Sequence, residues 1–344
     1  MAQKKRVKKT AKRTSVLKNK VVLITGGTGS FGKAFIKKLL SDNEVRAIRV
    51  YSRDELKQWE MSREFNTHPK LRFLIGDVRD AGRLRRATEG VDVIIHAAAL
   101  KHVPACEYNP VDAVRTNIDG AINVINAALD NNVERVIGLS TDKAVSPVNI
   151  YGATKLGAER LIIQSNSYRG NLRNTRFSVV RYGNVLGSRG SVIPLFRQQR
   201  ESGEVTVTNE HMTRFWITLP QAVQFVLSSL EEMQGGEIFV PKMPSALITD
   251  LAEVLAPGAK QRVIGTRPGE KLHEYLLAAE DSQLTYDAGD HYIILSASRA
   301  WGHDDSIYKR LKKVPEGFAY NSKDNEWYLS QKDIKDLLDS NHLS

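Results

Sequence analysis

The chain has 344 residues, 41% hydrophobic and 26% charged, a soluble globular composition long enough for one large unit or two lobes. No apolar run approaches the roughly 20 residues of a membrane-spanning helix, and the single cysteine, Cys106, excludes an internal disulfide framework and fits a reducing, cytoplasmic compartment. The net charge of +11 points towards nucleic acid, but residues 1–20 hold nine basic side chains and no acid, so the rest of the chain is nearly neutral. A tail of like charges with few apolar residues is not expected to pack, and it lacks the apolar core of a signal peptide. Residues 1–19 are read as a disordered basic extension, either simply solvated or touching an anionic polymer or surface; nothing else in the chain indicates nucleic acid.

Val21 to Thr25 is a short, β-branched apolar run, as a buried parallel strand should be. It leads into Gly26-Gly-Thr28-Gly29-Ser30-Phe31-Gly32 and then a segment of helical periodicity, Lys33 to Leu40. Strand, glycine turn and helix together make a dinucleotide site: the glycines allow close backbone approach, and the helix start offers N–H groups to a pyrophosphate. A second strand, Ala47 to Tyr51, ends in Ser52-Arg53-Asp54, with Lys57 just beyond. Arg53 can fork onto a ribose 2′-phosphate, which favours NADP, whereas Asp54 keeps NAD open by offering a carboxylate to a 2′-hydroxyl. Leu71 to Ile75 reads as a third strand, followed by Gly76-Asp77-Val78, and Val91 to His96 as a fourth, running into Ala97-Ala98-Ala99-Leu-Lys101-His102. Small residues there let backbone approach a cofactor ribose. Lys101 and His102 either meet a substrate phosphate or are solvated loop charges. Asn117, in a helix expected over Val111 to Leu129, braces the site, and Val133 to Leu139 is the fifth strand.

That strand delivers the stretch around which the chain is organised, Ser140-Thr141-Asp142-Lys143 to Tyr151-x-x-x-Lys155. Four residues apart on a helix, Tyr151 and Lys155 share a face, and an ammonium beside a phenol lowers its pKa from about 10. Tyr151 is thus a candidate base for a substrate hydroxyl, with Thr141 as hydrogen-bonding partner. Phe177 to Val180 is a sixth strand, and after Arg181-Tyr-Gly-Asn184 the strict alternation loosens as glycine and proline (among them Gly187 and Gly190) become frequent. The expected fold is an α/β, Rossmann-type doubly wound parallel sheet over 20–184, with a smaller substrate-binding lobe occupying most of 185–344 and the segment 219–234 packing back on the sheet. Trp301, Trp327 and Tyr328 are expected to cap that lobe. Eight histidines lack ligand spacing, so no metal is expected.

With these residues placed, the chain resembles extended short-chain dehydrogenases/reductases acting on nucleotide sugars. More narrowly, it resembles the soluble, inverting UDP-N-acetylglucosamine 4,6-dehydratases that begin pseudaminic acid synthesis. The likeness covers roughly residues 18–340 and rests on Gly26–Gly32, Tyr51–Lys57, His96–Pro104, Ser140–Ala144, Tyr151–Lys155, Met212–Leu219 and Arg267–Glu274. Among relatives, simple 4-epimerases carry small or polar residues where this chain has Asp142-Lys143, and dTDP-glucose dehydratases carry Asp-Glu. The nearest rival reading is a UDP-N-acetylhexosamine 4-epimerase or a 5-epimerising dehydratase variant; a non-catalytic dinucleotide-binding module would be expected to lose Tyr151 or Lys155.

The resemblance implies tightly bound NADP held by Thr25, Gly26, Thr28, Gly29, Ser30, Phe31, Gly32, Ser52, Arg53, Lys57, Asp77, Val78, Ala97, Ala98, Ala99, Lys101, Tyr151 and Lys155, with Asp77 and Val78 at the adenine. It places UDP-N-acetylglucosamine against Lys101, Asn184, Arg214, Arg267 and Glu270, with the arginines at the diphosphate. It also implies a homo-oligomer, dimer or hexamer, with no membrane partner. The implied chemistry oxidises C4 so that the C5 proton becomes removable: Tyr151 takes the C4 hydroxyl proton with Lys155 and Thr141 in support, Lys143 is base at C5, and Asp142 protonates the departing C6 oxygen before hydride returns to C6. Such roles require a neutral Lys143 and a protonated Asp142, both reversed from free solution.

Overall fold

The structure, a computed structural model, describes residues 15–170, 174–188, 192–297 and 305–341. Most of the basic tail, Gly190 and Trp301 lie outside the described residues. Strand β1 (Val21–Thr25) is wholly buried, as a run of β-branched and aliphatic residues covered on both faces must be. It passes through the glycine turn into α1 (Ser30–Asp42), β2 (Ala47–Ser52), α2 (Glu55–Glu64), β3 (Leu71–Ile75), α3 (Ala81–Thr88) and β4 (Val93–His96). The single helix expected over Val111 to Leu129 is instead three pieces. After α4 (Val103–Tyr108) come α5 (Pro110–Val114), a π-helical turn (Arg115–Asp119) and α6 (Gly120–Asp130). π-turns insert a residue into the helical ladder and gather at functional sites.

Next come β5 (Arg135–Thr141), a 3-10 turn (Asp142–Ala144), α7 (Ile150–Gln164), β6 (Arg176–Tyr182), β7 (Asn184–Val185), α8 (Val192–Arg200), β8 (Glu204–Val207), β9 (Thr213–Ile217) and α9 (Leu219–Glu232). The chain ends with β10 (Glu237–Pro241), β11 (Ser245–Leu247), α10 (Ile248–Leu255), β12 (Lys260–Val263), β13 (Tyr275–Leu277), β14 (Thr285–Asp287), β15 (His291–Leu295), β16 (Lys312–Lys313), β17 (Tyr320–Asn321) and α11 (Gln331–Ser340).

Among the described residues, ten strands form one sheet in the order β16-β14-β15-β10-β6-β5-β4-β1-β2-β3. Strands β10 to β3 along this order run parallel, while β15, β14 and β16 add antiparallel neighbours. Strand order reverses between β1 and β4, so the crossovers on either side send their helices to opposite faces and open a crevice beyond the strands' C-terminal ends. Helices α1 and α9 pack together, as do α3, α6 and α7. The main apolar core fills the space between sheet and helices. A second core gathers Phe196, Val205, Trp216, Leu251 and Ile334 from α8, β8, β9, α10 and α11. Residues after Asn184 are thus divided, some extending the sheet and others building the second core. The rings of Trp327 and Tyr328 stay more than a third exposed, although their backbone joins Ser245. No helix among the described residues is long and apolar enough to cross a membrane. The sheet's far edge is β16, two exposed lysines long.

Candidate active site

A cleft of about 1200 Å³ follows the crevice, with Arg53 and Asp77 at one end, Thr141, Lys143 and Tyr151 along it, and Arg214 and Arg267 at the other. Its volume exceeds the roughly 300–1,000 Å³ of a single small-molecule pocket, leaving room for two ligands end to end.

The glycine turn is shaped for close approach. Gly26 has φ of 66°, and a Cβ on it would stand 2.9 Å from Ala98 Cα; one on Gly32 would run into the carbonyl of Gly27. Gly29 caps α1 without a side-chain hydrogen bond, so the first N–H groups of the helix are left for an anion at the cleft. These features fit a dinucleotide pyrophosphate. Thr28, Ser30, Phe31, Ser52, Arg53, Lys57, Val78 and Ala97–Ala99 all line the cleft.

Thr25 does not. It is fully buried, lies 2.8 Å from His96 Nδ1 and accepts from Ala98 N–H at 3.2 Å, so it braces the loop after β4 instead of meeting a ligand. Asn117 braces the same loop: its side chain accepts from Leu100 N–H at 2.9 Å and donates to Leu100 O and to the Thr154 hydroxyl. At the end of β2, Asp54 caps α2 by accepting from Lys57 N–H and pairs with the Lys57 ammonium. Asp54 and Lys57 both line the cleft beside Arg53. Gln58 donates to both oxygens of Ser52, and Arg53, about half exposed, stands 3.5 Å from Asp77.

Helix α7 starts at the Asn149 cap, which accepts from Gly152 N–H, and presents Tyr151 and Lys155 on one buried face. The expected lowering of the Tyr151 phenol is not found: burial pushes it up to about 12, with Lys143 and a Thr141 hydrogen bond opposing. Lys155 is pushed down to about 8 by the same burial, against Glu159, and donates to the Leu139 carbonyl at 2.6 Å. Lys143 is thus a cation that acts on the phenol.

Asp142 is fully buried behind the lining of the cleft; one oxygen accepts from Thr141 Oγ1 at 2.8 Å and Lys143 Nζ at 3.1 Å, and the other has no partner. Burial raises its pKa, against Lys143, which is the direction a proton donor needs. Lys143 moves the opposite way from what a resting base needs. Burial alone would discharge it, but Asp142 and Glu274 outweigh that and hold the ammonium.

Glu274, not among the residues expected at the site, was missed because its partner Lys143 lies far away in the chain. The carboxylate is 2% exposed, lines the cleft, and stands 3.2 Å from Lys143 Nζ and 3.8 Å from Arg214 Nε. Although burial opposes it, Lys143, Arg214 and Lys271 hold it ionised. The one available signal was its place at the end of the Arg267–Glu274 stretch.

Among the expected sugar-nucleotide residues, Asn184 Oδ1 is 3.5 Å from Lys143 Nζ. Arg214 is buried and donates to the carbonyls of Thr213, Lys271 and Leu272, which leaves its guanidinium little capacity for a diphosphate. Arg267 is half exposed, with Glu270 3.9 Å away, and is the more available cation of the two. Lys101 lines the cleft, and burial lowers its pKa. No cluster of three or more metal-ligating side chains occurs among the described residues.

A family model described as polysaccharide biosynthesis protein matches residues 22–296. The chain is 50% identical over 93% of its length to the inverting UDP-N-acetylglucosamine 4,6-dehydratase of Campylobacter jejuni subsp. jejuni serotype O:2, covering 97% of that protein. It is 44% identical, again over 93% of its length and 95% of the relative's, to the UDP-glucose 4-epimerase of Rickettsia canadensis. Among solved structures, Pen from Bacillus thuringiensis superposes with a TM-score of 0.87 at 40% identity, over 96% of this chain and all of that one. The dTDP-glucose 4,6-dehydratase DesIV of Streptomyces venezuelae, with NAD and TYD bound, gives 0.64 at 26% identity over 73% of this chain and 86% of its own.

Proposed function

The chain belongs to the polysaccharide biosynthesis protein family, built on the fold of the extended short-chain dehydrogenases/reductases, and from that premise we propose that it is an inverting UDP-N-acetylglucosamine 4,6-dehydratase. The observation that carries the proposal is the meeting of Thr141, Lys143 and Tyr151 on one cleft with the glycine cradle, backed by the buried Asp142. A nicotinamide dinucleotide supplies reversible hydride acceptance when bound at that cradle. The protein's residues then have acid–base work to do. Tyr151, once its own proton has passed to solvent, takes the C4 hydroxyl proton as a phenolate, helped by the Lys143 charge and the Thr141 hydrogen bond. With C4 a ketone, the C5 proton becomes removable and Lys143 is the base, once its own proton has passed to solvent in the cleft. Asp142, whose pKa burial raises, is the acid for the C6 oxygen, reached through the Thr141 hydroxyl, which passes its own proton on and takes that of Asp142 in exchange. Holding sugar and cofactor in one cleft supplies proximity.

The finer proposal is NADP, supported by Arg53 at the end of β2 and by the engagement of Asp54 in the α2 cap. It includes a cytoplasmic homo-oligomer feeding pseudaminic acid or a related surface glycan; the exposed Tyr108 and Val111 support self-association. Arg267 is assigned to the diphosphate, with Glu270 beside it. The burial of Asp142 outside the cleft lining favours a second reading, a 4-epimerase, which does not need that acid.

Proton NMR with UDP-N-acetylglucosamine in deuterated water tests both. A new C6 methyl signal, deuterium at C5 and the couplings of the inverted ring are expected. A galacto product without a methyl signal would overturn dehydration in favour of the epimerase.

A further inference from the structure

We propose that Glu274 is a positioning residue for this reaction: it holds the Lys143 amine over the cleft and governs how readily that amine releases its proton. The inference rests on the dehydratase reading and adds to it a residue from the far end of the chain.

Glu274 is built into place by its backbone. Its N–H donates to the Ser322 hydroxyl at 2.9 Å, its carbonyl accepts from Ser322 N–H at 2.8 Å, and Ser322 Oγ is 2.7 Å from the Thr213 hydroxyl. The segment just before β13 is thereby clamped between β17 and β9, and the side chain has little freedom. Its carboxylate faces Lys143 from the 3-10 turn, Arg214 from β9 and Lys271 from its own loop, and Lys143 also meets Asp142 at 3.1 Å and bears on Tyr151. His273, next in the chain, turns to Thr213 instead. Oε1 takes the cations; Oε2 is buried without a partner.

That arrangement has a chemical consequence. Lys143 has two carboxylates within 3.2 Å, and Glu274, clamped through Ser322 and shared with Arg214, is the one that reaches it from outside the Thr141–Asp142–Lys143 turn. A buried charge is retained only while paired. Whatever weakens the Glu274 pair frees the amine for its work at C5, and whatever strengthens it keeps the base masked. Arg214, tied to the same carboxylate and to the carbonyls of Lys271 and Leu272, links this pair to the loop that carries Arg267 and Glu270.

The test compares the wild-type protein with Glu274→Gln and Glu274→Asp, following product formation and C5 deuterium incorporation as functions of pH. The wild type must first form the methyl-bearing product; if it does not, the dehydratase reading fails, and Glu274 is not what has been tested. Given turnover, removing one negative charge beside Lys143 is expected to move the rising limb of both profiles to lower pH by about one unit and to cut kcat about 10²-fold through misplacement, with KM unchanged. Glu274→Asp should keep the wild-type limb while losing kcat. A Gln profile that superimposes on wild type in pH, whatever its height, or a change confined to KM, would overturn the proposal. Where the Gln variant does not fold, Glu274→Asp decides: kcat reduced at constant KM supports the role, and unchanged kcat removes it.

Discussion

His96 lies 2.8 Å from Thr25 Oγ1 and is buried, and its pKa falls to about 3 because burial penalises the imidazolium and the Lys155 ammonium repels it. The consequence is a stability that depends on acid. Unfolded, the ring takes up a proton near its ordinary value of about 6.5; folded, it refuses one until far lower. Between those values the unfolded state binds more protons, so stability is full above the upper value and falls with pH at about 1.4 kcal/mol per unit. Urea midpoints measured from neutral pH downwards should therefore decline, and His96→Asn should decline less steeply over the upper part of that window. An equal slope in the two proteins would assign the acid sensitivity to other groups, of which the buried, ionised Glu159 is the first to examine. The same force acts on Tyr151 and Lys155, pushing both towards their neutral forms. Their spacing was legible in the sequence, but the balance between burial and charge was not, because it depends on which groups the fold brings near.

At the scale of elements, the first half of the chain was readable because each parallel strand is a β-branched run punctuated by glycine or a polar turn. Strand β4 begins at Val93 and β5 at Arg135, two residues later than the runs beginning at Val91 and Val133 suggest. The π-turn over 115–119 left no periodic mark, since one inserted residue barely disturbs an apolar pattern, yet it sets Asn117 against Leu100. Glu274 was unreadable for a different cause: a short strand edge carries no pattern, and its role exists only through Lys143 and Ser322. The turn after β2 offers a test of cofactor choice. Arg53→Ala should weaken NADP binding about tenfold, the loss of a hydrogen-bonded charge pair of roughly 1.5 kcal/mol, and leave NAD binding unchanged in a fluorescence titration. Equal losses for the two cofactors would show that Arg53 does not read the 2′-phosphate.

Across the whole molecule, the buried pair Glu159–Arg181 joins distant parts. Glu159 of α7 receives two hydrogen bonds from Arg181 of β6, at 3.1 and 2.5 Å, and the same guanidinium donates to the Leu276 carbonyl of β13. The helix bearing Tyr151, a central strand and the segment bearing Glu274 thus share one ion pair. Glu159→Gln strands a buried cation, and the expected cost is about 3–5 kcal/mol, read as a lower urea midpoint at unchanged m-value. A loss under about 1 kcal/mol would mean that Asp281, 3.7 Å from Arg181, suffices to neutralise it.

The sheet also has an outer limit with a consequence of its own. Ten hydrogen-bonded strands present open backbone groups only at their two margins, and one margin is β16, whose entire length is Lys312 and Lys313. Two residues are too few to template another chain, and docking a second strand there would force two ammonium groups against it. Replacing both lysines with valine would leave the cleft untouched and remove the charge barrier, yet the margin would still be two residues long, so the protein's concentration limit should fall only slightly.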